Sequence, residues 1–177
     1  GGRETGSMAN LLPGHRAANN AEQRREVADY WGVESLSANS GLTAVELFEA
    51  VGDGRIKALW IACTNPAQSM PDQNKIHQAL ALCPFVVVQE AFTSTETCHY
   101  ADLLLPASSW GEKEGTLTNS ERRISHVQGA VPAPGEARAD WSITVDFAQR
   151  LEQRLRPTRP SLFNFTSPQA PFDEYKG

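Results

Sequence analysis

Long apolar runs, a basic bias and closely spaced cysteines are all missing from this chain of 177 residues. Its longest apolar stretches, residues 58–63 and 84–88, fall far short of the roughly 20 residues a membrane helix needs. No basic start leads into an apolar core of the kind that marks a signal peptide. No membrane partner and no secretory route are therefore expected. The formal net charge is −5, and no Lys/Arg run interleaves with aromatics, so the electrostatic term behind nucleic-acid binding has the wrong sign. Only three cysteines occur, Cys63, Cys83 and Cys98, without the spacing of a zinc or iron–sulfur site, and no metal ligand is assigned. Cys63 and Cys83 lie beside apolar runs, where a free thiol behaves as a small buried hydrophobe. The usage suits a reducing compartment. A phosphate-cradling glycine loop is also missing, since no Gly-x-Gly-x-x-Gly follows any of the apolar runs.

What is present is an ordinary globular composition, 40% hydrophobic and 21% charged, over a length that suits one domain with an appended segment. Residues 1–42 are polar and punctuated by Gly, Pro, Asn and Ser; they read as an irregular lead-in around one helix at 21–30, capped by Asn19 or Asn20. From Thr43 the pattern tightens. Thr43 caps a short helix with Ala44, Leu47, Phe48 and Val51 on its apolar face, and Asp53-Gly54 turns the chain. Residues 56–63, apolar except for Lys57, suit a strand covered on both faces. Thr64-Asn65-Pro66 breaks it, and a helix starting between Ser69 and Asp72 runs to Leu82. The unit then repeats. Residues 85–88 form a second strand ending at Gln89-Glu90, residues 96–99 a short helix capped by Thr93 or Ser94, and residues 101–105 a third strand stopped by Pro106.

Strand, helix, strand, helix, strand is the signature of a parallel sheet with crossover connections. The expected fold class is therefore α/β, a three-layer parallel-sheet (Rossmann-like) domain with irregular flanking segments. Beyond it, residues 111–119 read as a charged loop bearing glycine, 123–127 as an outlying strand, and Pro132 and Pro134 as a linker. Asp140 caps an amphipathic helix with Ile143, Phe147, Leu151 and Leu155 on one face. The domain boundaries follow: lead-in 1–42, α/β domain 43–155, extended tail 156–177.

In an open parallel sheet, ligands bind just past the carboxyl ends of the strands. Three loops stand there: Thr64-Asn65-Pro66, Gln89-Glu90-Ala91 and Ser108-Ser109-Trp110. The Asn65 amide offers donor and acceptor to a nucleotide, or else makes an Asx turn before Pro66. Glu90, at a strand end, is a natural acceptor for ribose hydroxyls. Lys113, between Glu112 and Glu114, is placed to pair locally on a solvated face. Arg122-Arg123 clamps a phosphate or pairs with the surrounding glutamates. Asp140 is placed as a helix cap.

The stretches Trp60-Ile-Ala-Cys-Thr-Asn-Pro-Ala-Gln68, Val86-Val-Val-Gln-Glu-Ala-Phe92, Tyr100-Ala-Asp-Leu-Leu-Leu-Pro-Ala107 and Trp110 to Arg123 resemble molybdopterin oxidoreductases. Together with Gly2-Arg3-Glu4, Asn10-Leu-Leu-Pro-Gly-His-Arg16 and Pro134-Gly-Glu-Ala-Arg-Ala-Asp140, they are similar to the bacterial assimilatory nitrate reductase branch. The likeness implies a cytoplasmic enzyme that reduces nitrate to nitrite with molybdenum bis(molybdopterin guanine dinucleotide), this region gripping one guanine dinucleotide. Carried over by motif, Asn65, Gln89, Glu90, Lys113 and Asp140 are the cofactor contacts, and Arg3 lies near the molybdenum and the nitrate anion. The same resemblance implies a four-iron four-sulfur cluster in a missing N-terminal part. It also implies an electron donor that is ferredoxin, flavodoxin or a nicotinamide-linked reductase. Thr5 and Ser7 depart from the Val and Gly more usual in the family. The chain starts at Gly1 without Met and stops at Gly177, and it is expected to be an internal, inactive fragment. A formate dehydrogenase fragment, a periplasmic-type nitrate reductase and a non-catalytic nucleotide-binding module are the alternatives.

Overall fold

The computed structural model describes residues 10–176. They form two compact units, one running up to Leu47 and including Thr118–Ile124, the other comprising Phe48–Leu117 and the chain from Ser125 onward.

In the first unit, helix α1 spans Ala21–Trp31 because both of its ends are chemically closed. Asn20 Oδ1 accepts from the backbone N–H of Glu22 and Gln23 at 3.0 and 3.1 Å. Gly32 ends the helix in the left-handed region (φ 64°), a conformation glycine adopts without Cβ strain.

Helix α2 (Ala44–Gly52) begins with a reciprocal cap: the Glu46 carboxylate accepts from Thr43 N and Oγ1, and Thr43 Oγ1 accepts from Glu46 N. Strands β1 (Leu59–Ala62), β2 (Val86–Glu90) and β3 (Leu103–Pro106) make one parallel sheet in that order. Ile61 pairs with Val88, and Val88 with Leu104, so these side chains share a face. Between β1 and β2 lie the short helix α3 (Pro66–Ser69) and helix α4 (Gln73–Leu82). Between β2 and β3 runs a 3₁₀ turn at Glu96–Tyr100.

The core of this unit is Phe48 and Val51 of α2, Ile76 and Leu80 of α4, and Ile61, Val86 and Val88 of the sheet, all buried. On the opposite face, Trp60 meets Phe147 of helix α5 (Asp140–Leu155) edge-on, ring centroids 4.9 Å apart. Past β3, strands β4 (Gly115–Thr118) and β5 (Ile124–Val127) pair as a separate two-stranded sheet.

Several expectations are corrected. The first strand is shorter than 56–63, because Ile56 N is drawn back to Ala50 O at the end of α2 and pairing with β2 starts only at Leu59. The turn at Glu96–Tyr100 is preceded by Thr95, not capped by Thr93 or Ser94. The charged loop 111–119 contains β4, stabilised by a partner strand that local composition does not reveal. The tail is not extended throughout: helix α6 (Gln169–Lys176) forms in it, with Asp173 accepting from Gln169 and pairing with Lys176 at helical spacing. Of the apolar face expected on α5, only Ile143 is buried, while Phe147, Leu151 and Leu155 are 49%, 42% and 71% exposed.

Leu80 fills the closed side of the sheet. Its replacement by Ala is expected to lower the unfolding free energy by about 2–5 kcal/mol, through lost burial and the cavity left behind. A urea melt with unchanged m value checks this.

Candidate binding site at the strand ends

The three loops that follow the strands open at one edge of the sheet, as a parallel sheet requires, and they are stitched together there. Cys63 N donates to Gln89 O at 3.4 Å, and Ala107 N donates to Glu90 O at 3.1 Å. A fourth segment joins them. Ala107 and Arg138 form a parallel bridge, Arg138 N donates to Pro106 O and Ser108 N to Arg138 O. The chain leading into α5 therefore runs beside the end of β3 and delivers Asp140 to the site.

Asp140 is the first residue of α5, and Ala139 takes the cap position with no side-chain bond. The cap alternative for Asp140 does not hold, which leaves its carboxylate free to bind across the chain. Oδ1 accepts from Gln89 Nε2 at 2.7 Å and from the Cys63 thiol at 3.6 Å; Oδ2 is ion-paired with Lys113 Nζ. Lys113 is held in range by the turn before it, where Glu112 Oε2 accepts from Ser109 N at 2.8 Å and Gly111 O accepts from Ala130 N at 2.8 Å. The local pairing alternative for Lys113 is not made: Glu112 binds backbone, and Glu114 is bridged to His126 at 2.9 Å.

Burial pushes the Asp140 carboxyl up, but the hydrogen bonds from Lys113 and Gln89 and the Lys113 charge outweigh it and hold the group below the usual aspartate range. Burial, then the charge and hydrogen bond of Asp140, push the Cys63 thiol up, so it stays protonated at neutral pH.

Gln89 is only 3% exposed, and its Oε1 is buried with no hydrogen-bond partner. Ser108, equally enclosed, leaves its hydroxyl in the same state. A buried acceptor without a donor costs roughly 1–3 kcal/mol, so such atoms mark places where a further polar group fits. Glu90 Oε1 accepts from the N–H groups of Ala91 and Phe92 at 2.7 and 3.4 Å.

The Asn65 amide makes no Asx turn before Pro66. Its Oδ1 accepts from Thr97 Oγ1 at 2.5 Å and Thr97 N at 3.2 Å, and its Nδ2 donates to Gln68 and Glu96 at 3.1 Å each. Asn65 thus ties the loop after β1 to the connection between β2 and β3, with Thr97 fully buried beneath it.

Gln89, Lys113 and Asp140 are brought into one contact group; Asn65 and Glu90 share the edge but bond elsewhere. Arg3 lies outside the described residues. Two members escaped the sequence reading. Cys63 was expected as a buried hydrophobe but is exposed, with a left-handed backbone (φ 58°) that turns it off the strand toward Asp140; Cys83 is buried as expected, and Cys98 is buried too. Thr97 lies 32 residues from Asn65, and no local signal links them. Among the described residues, Arg122 and Arg123 form no ion pair, and no group of three or more His, Cys, Asp or Glu is placed to hold a metal. No helix among them is long and apolar enough to cross a membrane.

A family model described as molybdopterin oxidoreductase matches residues 2–150. The nitrate reductase of Klebsiella oxytoca is 48% identical over 151 residues, covering 85% of this chain and 17% of that protein. The assimilatory nitrate reductase catalytic subunit of Bacillus subtilis is 40% identical over 177 residues, covering 99% of this chain and 24% of the relative. Matches extend to a periplasmic nitrate reductase and to alpha subunits of F420-dependent formate dehydrogenases. Acetylene hydratase from Pelobacter acetylenicus shares the fold, with a TM-score of 0.58 at 22% identity over 85% of this chain and 22% of that one. The chain spans only 17% to 24% of the length of these relatives.

Because the Asp140 carboxyl has a lowered pKa, it contributes stability that is fully present above the ordinary aspartate value of about 3.9 and is lost as pH falls through the lowered value. Asp140→Asn is expected to remove that part of the acid dependence and to lower stability at neutral pH. Unfolding free energies measured from neutrality into the acid range check it; parallel profiles for the two proteins would assign the acid loss to other carboxylates.

Proposed function

Since the chain belongs to the molybdopterin oxidoreductase family, we propose that it is the region of a longer assimilatory nitrate reductase that grips one guanine dinucleotide of a bis(molybdopterin guanine dinucleotide) cofactor. The observation that carries this reading is the contact group of Gln89, Lys113 and Asp140 at the strand ends, with a buried, unpartnered Gln89 Oε1 inside it. Its chemistry fits the group. A carboxylate supplies two adjacent acceptors for the N–H donors of a guanine edge, and Lys113 and Gln89 hold the Asp140 pKa below its ordinary value. The Gln89 amide adds an acceptor beside it. Lys113 brings a mobile point charge for a diphosphate, and the second Glu90 oxygen suits a ribose hydroxyl. Asn65, its amide engaged with Thr97, Gln68 and Glu96, holds the loop that shapes this edge.

The molybdenum centre, when bound, supplies the two-electron reduction that takes nitrate to nitrite. For Arg3 the proposed part is electrostatic, a cation near the incoming anion. The four-iron four-sulfur cluster, the cytoplasmic setting and the ferredoxin, flavodoxin or nicotinamide-linked donor belong to the same proposal. So does placement of the sheet in a larger three-layer, Rossmann-like domain. The match to formate dehydrogenase subunits favours a second reading, the same cofactor grip serving formate oxidation. Assaying the full-length enzyme with nitrate and with formate separates the two.

In that enzyme, Lys113→Ala is expected to weaken cofactor retention by roughly 1.5–3 kcal/mol if Lys113 meets a phosphate. A partly exposed ion pair alone accounts for about 0–1 kcal/mol. Guanine nucleotide content and thermal unfolding, measured side by side, distinguish the cases. Full occupancy with unchanged turnover returns Lys113 to the role of partner to Asp140. The 177-residue chain by itself is expected to hold no molybdenum and to reduce no nitrate, checked by metal analysis and a viologen-driven assay.

A further inference from the structure

Asp140 is the first residue of α5, and that helix starts without a side-chain cap. An uncapped first turn is the part of a helix that frays most readily. A carboxylate that recognises a ligand nevertheless has to be held to within about 0.5 Å, by side chains that need not touch the ligand themselves. Gln89, Lys113 and Cys63 grip the Asp140 carboxylate rather than the backbone that carries it.

Arg138 holds that backbone. Two residues ahead of Asp140, its main chain is pinned to the continuation of β3: its N–H donates to Pro106 O at 3.0 Å, and its carbonyl accepts from Ser108 N at 2.9 Å. From this anchor the guanidinium reaches forward along α5. Nη2 donates to the Ser142 carbonyl in the first turn at 3.2 Å, and Nη1 to Asp146 Oδ2 in the second turn at 3.0 Å. The other Asp146 oxygen accepts from Arg150 Nε at 2.7 Å, and the two guanidinium groups, Arg150 first, hold the Asp146 carboxyl below the usual aspartate range. Asp140 thus lies inside a brace that runs from the sheet to two turns of the helix. A lone exposed ion pair would carry little. This one forks between a charged and a backbone acceptor, a geometry that a single ammonium does not reproduce.

We propose that Arg138 is a positioning residue for guanine recognition: it fixes the first turn of α5 against the end of β3 and so sets where the Asp140 carboxylate stands. The role rests on the guanine reading of Asp140 given under the proposed function. Arg138 bonds none of Gln89, Lys113 and Cys63, so it reaches the site only through the backbone around Asp140. Its effect is therefore selective. Without the fork the carboxylate keeps Lys113 and Gln89 but drifts relative to the N–H donors of a guanine edge, so base selection is lost ahead of phosphate and ribose binding.

The probes are GDP and IDP, the second carrying hypoxanthine and so lacking the exocyclic amine, bound at equilibrium to the cofactor-free full-length enzyme. The Asp140→Asn enzyme measures nucleotide held elsewhere, which is subtracted. Wild type is expected to prefer GDP by about tenfold or more, the worth of one hydrogen bond to a charged group. Arg138→Met is expected to lose most of that preference, GDP binding falling further than IDP binding. Asp146→Asn, which removes one acceptor of the fork and leaves the Ser142 bond, is expected to shift it the same way by less. A preserved preference in Arg138→Met overturns the proposal and leaves the guanine reading standing. So does an equal loss of GDP and IDP binding, the mark of a merely structural role. If Arg138→Met does not fold, an unchanged preference in Asp146→Asn overturns the proposal instead. Wild type that holds GDP no better than Asp140→Asn does, or no better than IDP, overturns the guanine reading and this role with it.

Discussion

A partly buried carboxylate stays ionised only when partners replace the water it has lost, and Asp140 draws its partners from Cys63, Gln89 and Lys113, three segments far apart in the chain. Each has to be delivered by a different piece of the fold. The end of β1 brings Cys63, the end of β2 brings Gln89, and a turn pinned through Ser109 and Gly111 brings Lys113. Asp140 itself arrives because residue 138 is zipped against the end of β3. The parallel register of the three strands is thus a precondition of the site: a one-residue slip in β2 would move Gln89 to the opposite face and take one partner from the carboxylate.

Local chemistry was legible in the sequence and long-range chemistry was not. The starts of α1 and α2 follow from Asn20 and Thr43, because each cap is made within three residues; the structure adds Gly32 at the end of α1 and Glu46 to the cap of α2. The apolar runs before Gln89 and Pro106 located β2 and β3; β2 is covered on both faces as an unbroken run suggests, whereas Leu103 and Leu104 of β3 are largely exposed. Strand β4 was hidden in a charged, glycine-bearing stretch, because its pairing comes from β5. The same reason explains Asn65. Its short-range options before Pro66 lose to Thr97, a partner 32 residues away that the sequence alone gives no means of pairing with it.

The residues singled out past the strand ends divide along the same line. Periodicity placed Asn65, Gln89 and Glu90 on one edge, and the fold agrees. Lys113 was read beside its flanking glutamates and Asp140 as a helix cap, and the fold joins them in an ion pair that neither residue type nor spacing foretells. The pair also bears on the solvated-face reading of Lys113. That reading needs Glu112 or Glu114 as partner, and both carboxylates are engaged elsewhere.

The amphipathic pattern of α5 carries a different lesson. A stripe of Ile143, Phe147, Leu151 and Leu155 correctly signals a helix with one face against other protein. It does not say where along the stripe the cover ends. Here cover reaches Ile143 beneath the strand ends and fades toward Leu155. The tight end of the helix is the one that presents Asp140, so its carboxylate is fixed by both the bridge at Arg138 and the seating of Ile143. Burial along α5 is therefore greatest at the end that carries Asp140 and least at Leu155.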